Sequence, residues 1–247
     1  MGKPGITAPL QLTNSNIRNT SGDAITTQSS LTISGGSFTN LGGRAISADL
    51  SATAAPSLSI TGASISGTAK EGILGLGLNA RTVDIATTSV DHPGAVGIKL
   101  DASTLGIDHL TLTGNTVTNT PGAFPAIYLN NLNQAFASIS GNKGAGNGLN
   151  ALVFHGTVSD SLTWLTARNS GSVQPLGFLL DGDLNLANTL EITAGGIVKT
   201  DGALNIGHLK ADDAANASQK IITSLADDSA GVPACQSVLL PGCTGAA

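Results

Sequence analysis

The side chains best suited to chemistry recur in one frame. Lys99 and Asp101 flank Leu100, Tyr128 and Asn130 flank Leu129, and Val153 and His155 flank Phe154. In an extended strand, residues two apart share a face, so each flanking pair projects from one side. If the three segments stack, Lys99, Asp101, Tyr128, Asn130 and His155 form a single patch. An ammonium, a carboxylate, an amide and an imidazole could then hydrogen-bond a sugar, and the phenol ring offers a stacking face. The plainer reading of the same residues is a solvated polar wall whose Lys/Asp pair contributes little. Weaker candidates lie elsewhere. Asp227 and Asp228 could give oxygen ligands to calcium but match no EF-hand loop, so no cofactor is expected beyond that possibility. The four histidines, His92, His109, His155 and His208, show no i,i+2 or i,i+4 pairing and no nearby cysteine, which speaks against a metal site. Cys235 and Cys243 sit in CQSVLLPGC, a spacing that fits no zinc knuckle or redox motif. They are either a disulfide stapling a terminal loop of an exported protein or two free thiols.

The elements that would position the patch come from an internal repeat. Taking L-x-[LI] as an anchor, the pairs are Leu10/Leu12, Leu31/Ile33, Leu58/Ile60, Val83/Ile85, Leu110/Leu112 and Ala137/Ile139, at intervals of 21, 27, 25, 27 and 27 residues. Five residues beyond each second anchor stand Ile17, Phe38, Ile65, Val90 and Val117, and the column fails at Gly144. A later strand supplies Ile25, Ile46, Ile73, Ile98, Ile127 and Leu152. Within each strand apolar residues alternate with hydroxyls, and Gly35-Gly36, Gly62, Gly114-Asn115 and Gly141-Asn142 mark the breaks, where Gly and Asn tolerate a left-handed corner. LTLT, TVTN and AIYL are then three walls of one coil. A lone coil cannot cover its apolar side, but coils stacked about 4.8 Å apart bury Leu on Leu and Ile on Ile.

Composition agrees with this architecture and removes several function classes. The 247 residues include 32 glycines, only 11% charged and 3% aromatic residues, yet 40% apolar ones, too many for disorder. A formal charge of −5 without any Lys/Arg cluster disfavours nucleic acid. No stretch reaches the roughly 18 apolar residues of a membrane span, and MGKPGITAPL carries no signal-peptide core.

The run L-x-I-x-G-N-x-[IV]-x-N followed by a G/A-I-x-[LV] strand resembles the repeat of right-handed parallel β-helix proteins, the pectin-lyase-like group, over residues 10 to about 160. The resemblance implies an all-β, right-handed parallel solenoid of about 7–9 coils as a single domain. Residues 10–142 would form regular coils, 143–189 irregular ones, and 232–247 a loop. Residues 190–231 are similar to a coil common in large secreted bacterial β-helix proteins. That implies an exported chain, extracellular or at the cell surface, with further coils or domains adjoining it.

Both sugar-cleaving enzymes and non-catalytic surface proteins use this fold, so activity must be argued from residues. Glycoside hydrolysis needs two carboxylates roughly 5–9.5 Å apart, whereas the nearest column partner of Asp101 is Asp49, two coils away beyond Leu76. The likeness to polygalacturonases would require N-T-D, G-H-G and R-I-K motifs that are absent here, and Arg18, Arg44, Arg81 and Arg168 lack the clustered acids of a pectate lyase. A third possibility lies on the anchor strands. Their outward residues, Gln11, Thr32, Ser59, Asp84, Thr111 and Ser138 beside Thr13, Ser34, Thr61, Ala86, Thr113 and Ser140, form a hydroxyl-rich grid like that of solenoid ice-binding proteins. The expected function is a non-catalytic extracellular spacer or adhesin, with glycans or other surface proteins as partners. A polysaccharide lyase or glycoside hydrolase is the alternative, and ice binding the third.

Overall fold

The computed structural model describes residues 8–51, 56–77, 82–102, 107–131, 134–158, 162–164, 174–192, 197–200, 202–211 and 221–224. All regular structure among them is β. Three sheets, parallel except where Gln174–Pro175 adds antiparallel to Lys143–Ala145 in the second, form the walls of a solenoid. The first wall stacks Leu10–Thr13, Leu31–Ser34, Ser57–Thr61, Thr82–Ala86, Ile107–Thr113 and Gln134–Ser140. The second stacks Asn16–Arg18, Ser37–Leu41, Ser64–Thr68, Ser89–Pro93, Thr116–Thr118 and Lys143–Ala145. In the third wall, Ile25–Thr27, Ile46–Asp49, Ile73–Leu76, Ile98–Asp101, Pro125–Asn130 and Leu149–Val158 lie in order, followed by Gly177–Ile192, Ile197–Thr200 and Ile221–Ser224.

The registers reproduce the repeat residue by residue. Leu10, Leu31, Leu58, Val83, Leu110 and Ala137 are successive partners on the first wall. On the third, Ile25, Ile46, Ile73, Ile98, Ile127 and Leu152 form one file. The middle four isoleucines of that file are fully buried, each removed from water at a gain of roughly 1.5–3 kcal/mol.

Two files of left-handed residues turn the chain. Asn14, Gly35, Gly62, Thr87, Gly114 and Gly141 have φ between 46° and 68° at the corner between first and second walls. Five positions on, Asn19, Asn40, Gly67, His92, Asn119 and Gly146 have φ between 49° and 65° after the second wall. Gly and Asn fill these files because they enter that region at least cost; Thr87 and His92 are the exceptions. Behind the first corner, Thr88, Asn115 and Asn142 are buried in adjacent coils. Asn115 Nδ2 donates to Asn142 Oδ1 at 3.0 Å and to the Ile85 carbonyl at 2.7 Å, Asn142 Nδ2 donates to the Leu112 carbonyl at 2.8 Å, and Thr88 N donates to Asn115 Oδ1 at 3.0 Å. This amide ladder satisfies corner backbone groups that water cannot reach.

In two coils a large residue on the second wall accompanies a small one on the third. The third wall's second inward file runs Thr27, Ala48, Gly75, Leu100, Leu129 and Phe154, while the same coils carry Ile17, Phe38, Ile65, Val90, Val117 and Gly144 on the second wall. Phe38 accompanies Ala48 and Ile65 accompanies Gly75, as a close-packed bore requires. Gly144, where the apolar column fails, is also explained: a Cβ there would lie 2.5 Å from Leu176 Cδ2 and 2.7 Å from Asn147 Nδ2. Leu176 from the next turn, 4% exposed, occupies the space its column mates fill.

The solenoid makes about six turns, fewer than the 7–9 expected. Among the described residues no strand is hydrogen-bonded to the far side of Gln134–Ser140; Leu162–Trp164 lies against it and, like Leu204–Lys210, pairs along Gly177–Ile192, a 16-residue strand far longer than the earlier ones. Register shifts between His155/Thr157 and Leu186/Thr189 mark the departure from the repeat.

Candidate functional site

The third wall gathers the five residues whose types suggested binding. Lys99 pairs with Tyr128 in one outward file, and Asp101, Asn130 and His155 are successive partners in the next. All five are half-buried. The Lys99 ammonium lies 5.7 Å from the centroid of the Tyr128 ring, a cation–π distance. Tyr128 stacks on His155, with ring centroids 6.3 Å apart and planes inclined by 22°. Asn130 Nδ2 donates to Asp101 Oδ1 at 3.0 Å, while Asn130 Oδ1 is buried without a partner.

A sixth residue joins them. Asp181 follows His155 in the same file. His155 Nδ1 lies 3.0 Å from the Asp181 carbonyl oxygen and 3.4 Å from its carboxylate. A carbonyl oxygen only accepts, so Nδ1 carries the proton and, in the neutral ring, Nε2 is left as an acceptor. Burial first, then the charges of Asp181 and Asp101, holds the Tyr128 hydroxyl above its ordinary pKa. It therefore stays a protonated donor. Asp181 was legible in principle, because it stands three residues past Phe178 as His155 stands three past Leu152. Residues 143–189, read as irregular, hid that continuation.

Not every outward position is a polar wall facing water. Leu74 and Val153, in file with Lys99 and Tyr128, are only 5% and 3% exposed. Val153 belongs to a second apolar cluster with Leu149, Ala151 and Leu179, against which Tyr128 packs. Lys199, further along the file beyond Leu179, is buried too. The polar patch is therefore bounded, with leucines at Leu74 and Leu76 on one side and the apolar cluster on the other.

Its carboxylates are far apart. Asp101 and Asp181 are three rungs from each other, roughly 14 Å at the usual strand spacing. Between Asp49 and Asp101 stands Leu76, 36% exposed. Among the described residues no three His, Cys, Asp or Glu side chains are grouped to hold a metal. Asp227, Asp228, Cys235 and Cys243 lie outside the described residues. No helix among those residues is long and apolar enough to cross a membrane. On the first wall, the hydroxyl-rich files are in unbroken register from Gln11 to Ser138 and from Thr13 to Ser140.

The fold defines a parallel β-solenoid. No family model, curated protein or solved structure matches the chain.

Proposed function

We propose that the chain is a non-catalytic extracellular β-helix module, a rigid spacer or adhesin segment of the pectin-lyase-like kind, that binds glycans weakly along its third wall. The observation that carries this reading is the half-buried Tyr128 ring held between Lys99 and His155, with Asp101, Asn130 and Asp181 alongside. With Lys99 over the ring and His155 stacked on it, the site presents the ring edge, the phenol hydroxyl and the flanking amide and carboxylates, groups that hydrogen-bond the hydroxylated edge of a sugar. The carboxylate spacing argues for binding over hydrolysis, since roughly 14 Å exceeds the separation either hydrolytic geometry uses. A stack of hydrogen-bonded rungs also suits a spacer, because each coil is held by its two neighbours.

The test is a glycan array run beside a depolymerisation assay on pectin, alginate and host-type glycans. Binding without product release, lost in Tyr128→Ala, is the expected result. Product release that disappears in Asp101→Ala would replace this reading with an enzyme. The in-register hydroxyl grid of the first wall favours ice binding as a second reading, and thermal hysteresis in the full chain is its measurement.

A further inference from the structure

We propose that the third-wall site recognises a free sugar hydroxyl through the phenol hydroxyl of Tyr128, and so excludes glycans substituted at that position. The inference rests on the glycan-binding reading and names the ligand class. It starts from the part of Tyr128 that a ligand can reach. Lys99 stands one rung before Tyr128 and His155 one rung after it. The ammonium lies 5.7 Å from the ring centroid and the imidazole stacks at 6.3 Å, so both faces of the ring are occupied. The cluster of Leu149, Ala151, Val153 and Leu179 packs against the same residue. What remains for a ligand is the hydroxyl end.

That hydroxyl is unclaimed. Among the described residues it makes no hydrogen bond, and Asn130 Oδ1 is the one side-chain atom there that is both buried and unpartnered, so Tyr128 Oη is open to solvent. Burial of the residue, then the charges of Asp181 and Asp101, keep it protonated, and it can both donate and accept. Its neighbours complete the contact. Asp101 gives Oδ1 to the Asn130 amide and keeps Oδ2 as an acceptor, while Lys99 forms no ion pair among the described residues and retains N–H donors. A free sugar hydroxyl offers a proton and a lone pair to such a set, whereas an ether or ester oxygen on the same carbon has no proton and adds bulk. A site built on a hydrogen bond to a ligand hydroxyl discriminates against the analogue that lacks it, by less where water reaches the group.

The experiment measures affinity of the full chain and of Tyr128→Phe for a panel of neutral hexopyranose oligomers, for their monodeoxy forms and for forms O-methylated at single positions. For any oligomer that the parent chain binds, one deoxy position is expected to weaken binding about fivefold, as the loss of one neutral hydrogen bond does. O-methylation at that position should weaken it by about tenfold or more. Tyr128→Phe should bind the unmodified oligomer about fivefold less tightly and no longer register the deoxy change, because the two substitutions remove one contact. Its circular dichroism should match the parent, since phenylalanine keeps the ring between Lys99 and His155. Parent-like affinity in Tyr128→Phe, or losses that add for every deoxy position, would overturn the role of the hydroxyl and leave the glycan-binding reading standing. If no oligomer binds the parent chain, the glycan-binding reading itself fails, and this inference with it.

Discussion

Tyr128 and His155 stack one rung apart, and His155 is itself fixed by its hydrogen bond to the Asp181 carbonyl. The stack ties side chains of two successive coils together. A stacked aromatic pair is worth about 0.5–1.5 kcal/mol beyond area burial, mostly by keeping each ring in place. His155→Ala should therefore weaken glycan binding about three- to fivefold, whereas His155→Phe should retain most of it. Equal losses in both would assign the contribution to imidazole hydrogen bonding instead.

Asn142 holds the corner ladder from its later rung. Its Oδ1 accepts from both the backbone N and the Nδ2 of Asn115, at 3.2 and 3.0 Å, and its Nδ2 serves the Leu112 carbonyl. Asn142→Ala would take a partner from three buried polar groups, of which Asn115 Nδ2 keeps the Ile85 carbonyl, so a stability loss of about 1–3 kcal/mol is expected in urea unfolding. The exposed neighbour change Gly141→Asn, which keeps a residue tolerant of positive φ, should cost far less.

Thr87 is the one β-branched residue in the first corner file, at φ 48°, and its side chain is exposed. Thr87→Asn should raise stability by about 0.5–1 kcal/mol, a melting shift of about 2 °C for a chain of this size. Asn14 already occupies the equivalent corner, which shows the file accepts that side chain. A lower melting temperature would mean that the threonine makes interactions worth more than its backbone cost.

Asp91 gives the protein a pH-dependent contact. Burial alone would raise its carboxyl, but hydrogen bonds from Thr118 Oγ1 at 2.6 Å, from His92 and from Asn119 Nδ2 at 2.8 Å, with the nearby His92 charge, bring it below the ordinary value. A lowered folded-state pKa means fewer protons bound than in the unfolded chain. Stability from Asp91 is therefore present above about pH 4 and is lost as pH falls through the depressed folded value. Asp91→Asn should flatten the acid limb of a stability–pH profile, with the parent and variant converging at low pH. The half-exposed side chain keeps the effect modest.

Gly144 and Leu176 share one space. Gly144→Ala sets its Cβ against Leu176 Cδ2, Asn147 Nδ2 and, at 3.1 Å, the Val117 carbonyl. A loss of about 1–3 kcal/mol is expected, relieved in part by Leu176→Ala in the same chain. Purely additive losses in the double variant would show that the two residues do not compete for volume.

Much of the regular solenoid is written locally. Alternation with a period of two, repeated at nearly constant intervals, leaves only one register in which Ile46, Ile73, Ile98 and Ile127 all face inward, because a slip of one residue turns every one of them outward. The same logic placed Lys99 beside Tyr128 and Asp101 beside Asn130, and the corner asparagines beside each other. It lost the thread where strands lengthen, so Asp181 was not joined to the file and the number of coils was overcounted.

The amino-acid sequence by itself determined which residues share a file and which sit on the same rung, since those relations follow from strand periodicity and the repeat. Only the tertiary structure decided how open each file is. It buried Leu74, Val153 and Lys199 on a face that alternation alone marks as outward, and it seated Leu176 in the gap at Gly144. Accessibility depends on everything packed against a face, including chain far away in sequence, and no local pattern encodes that.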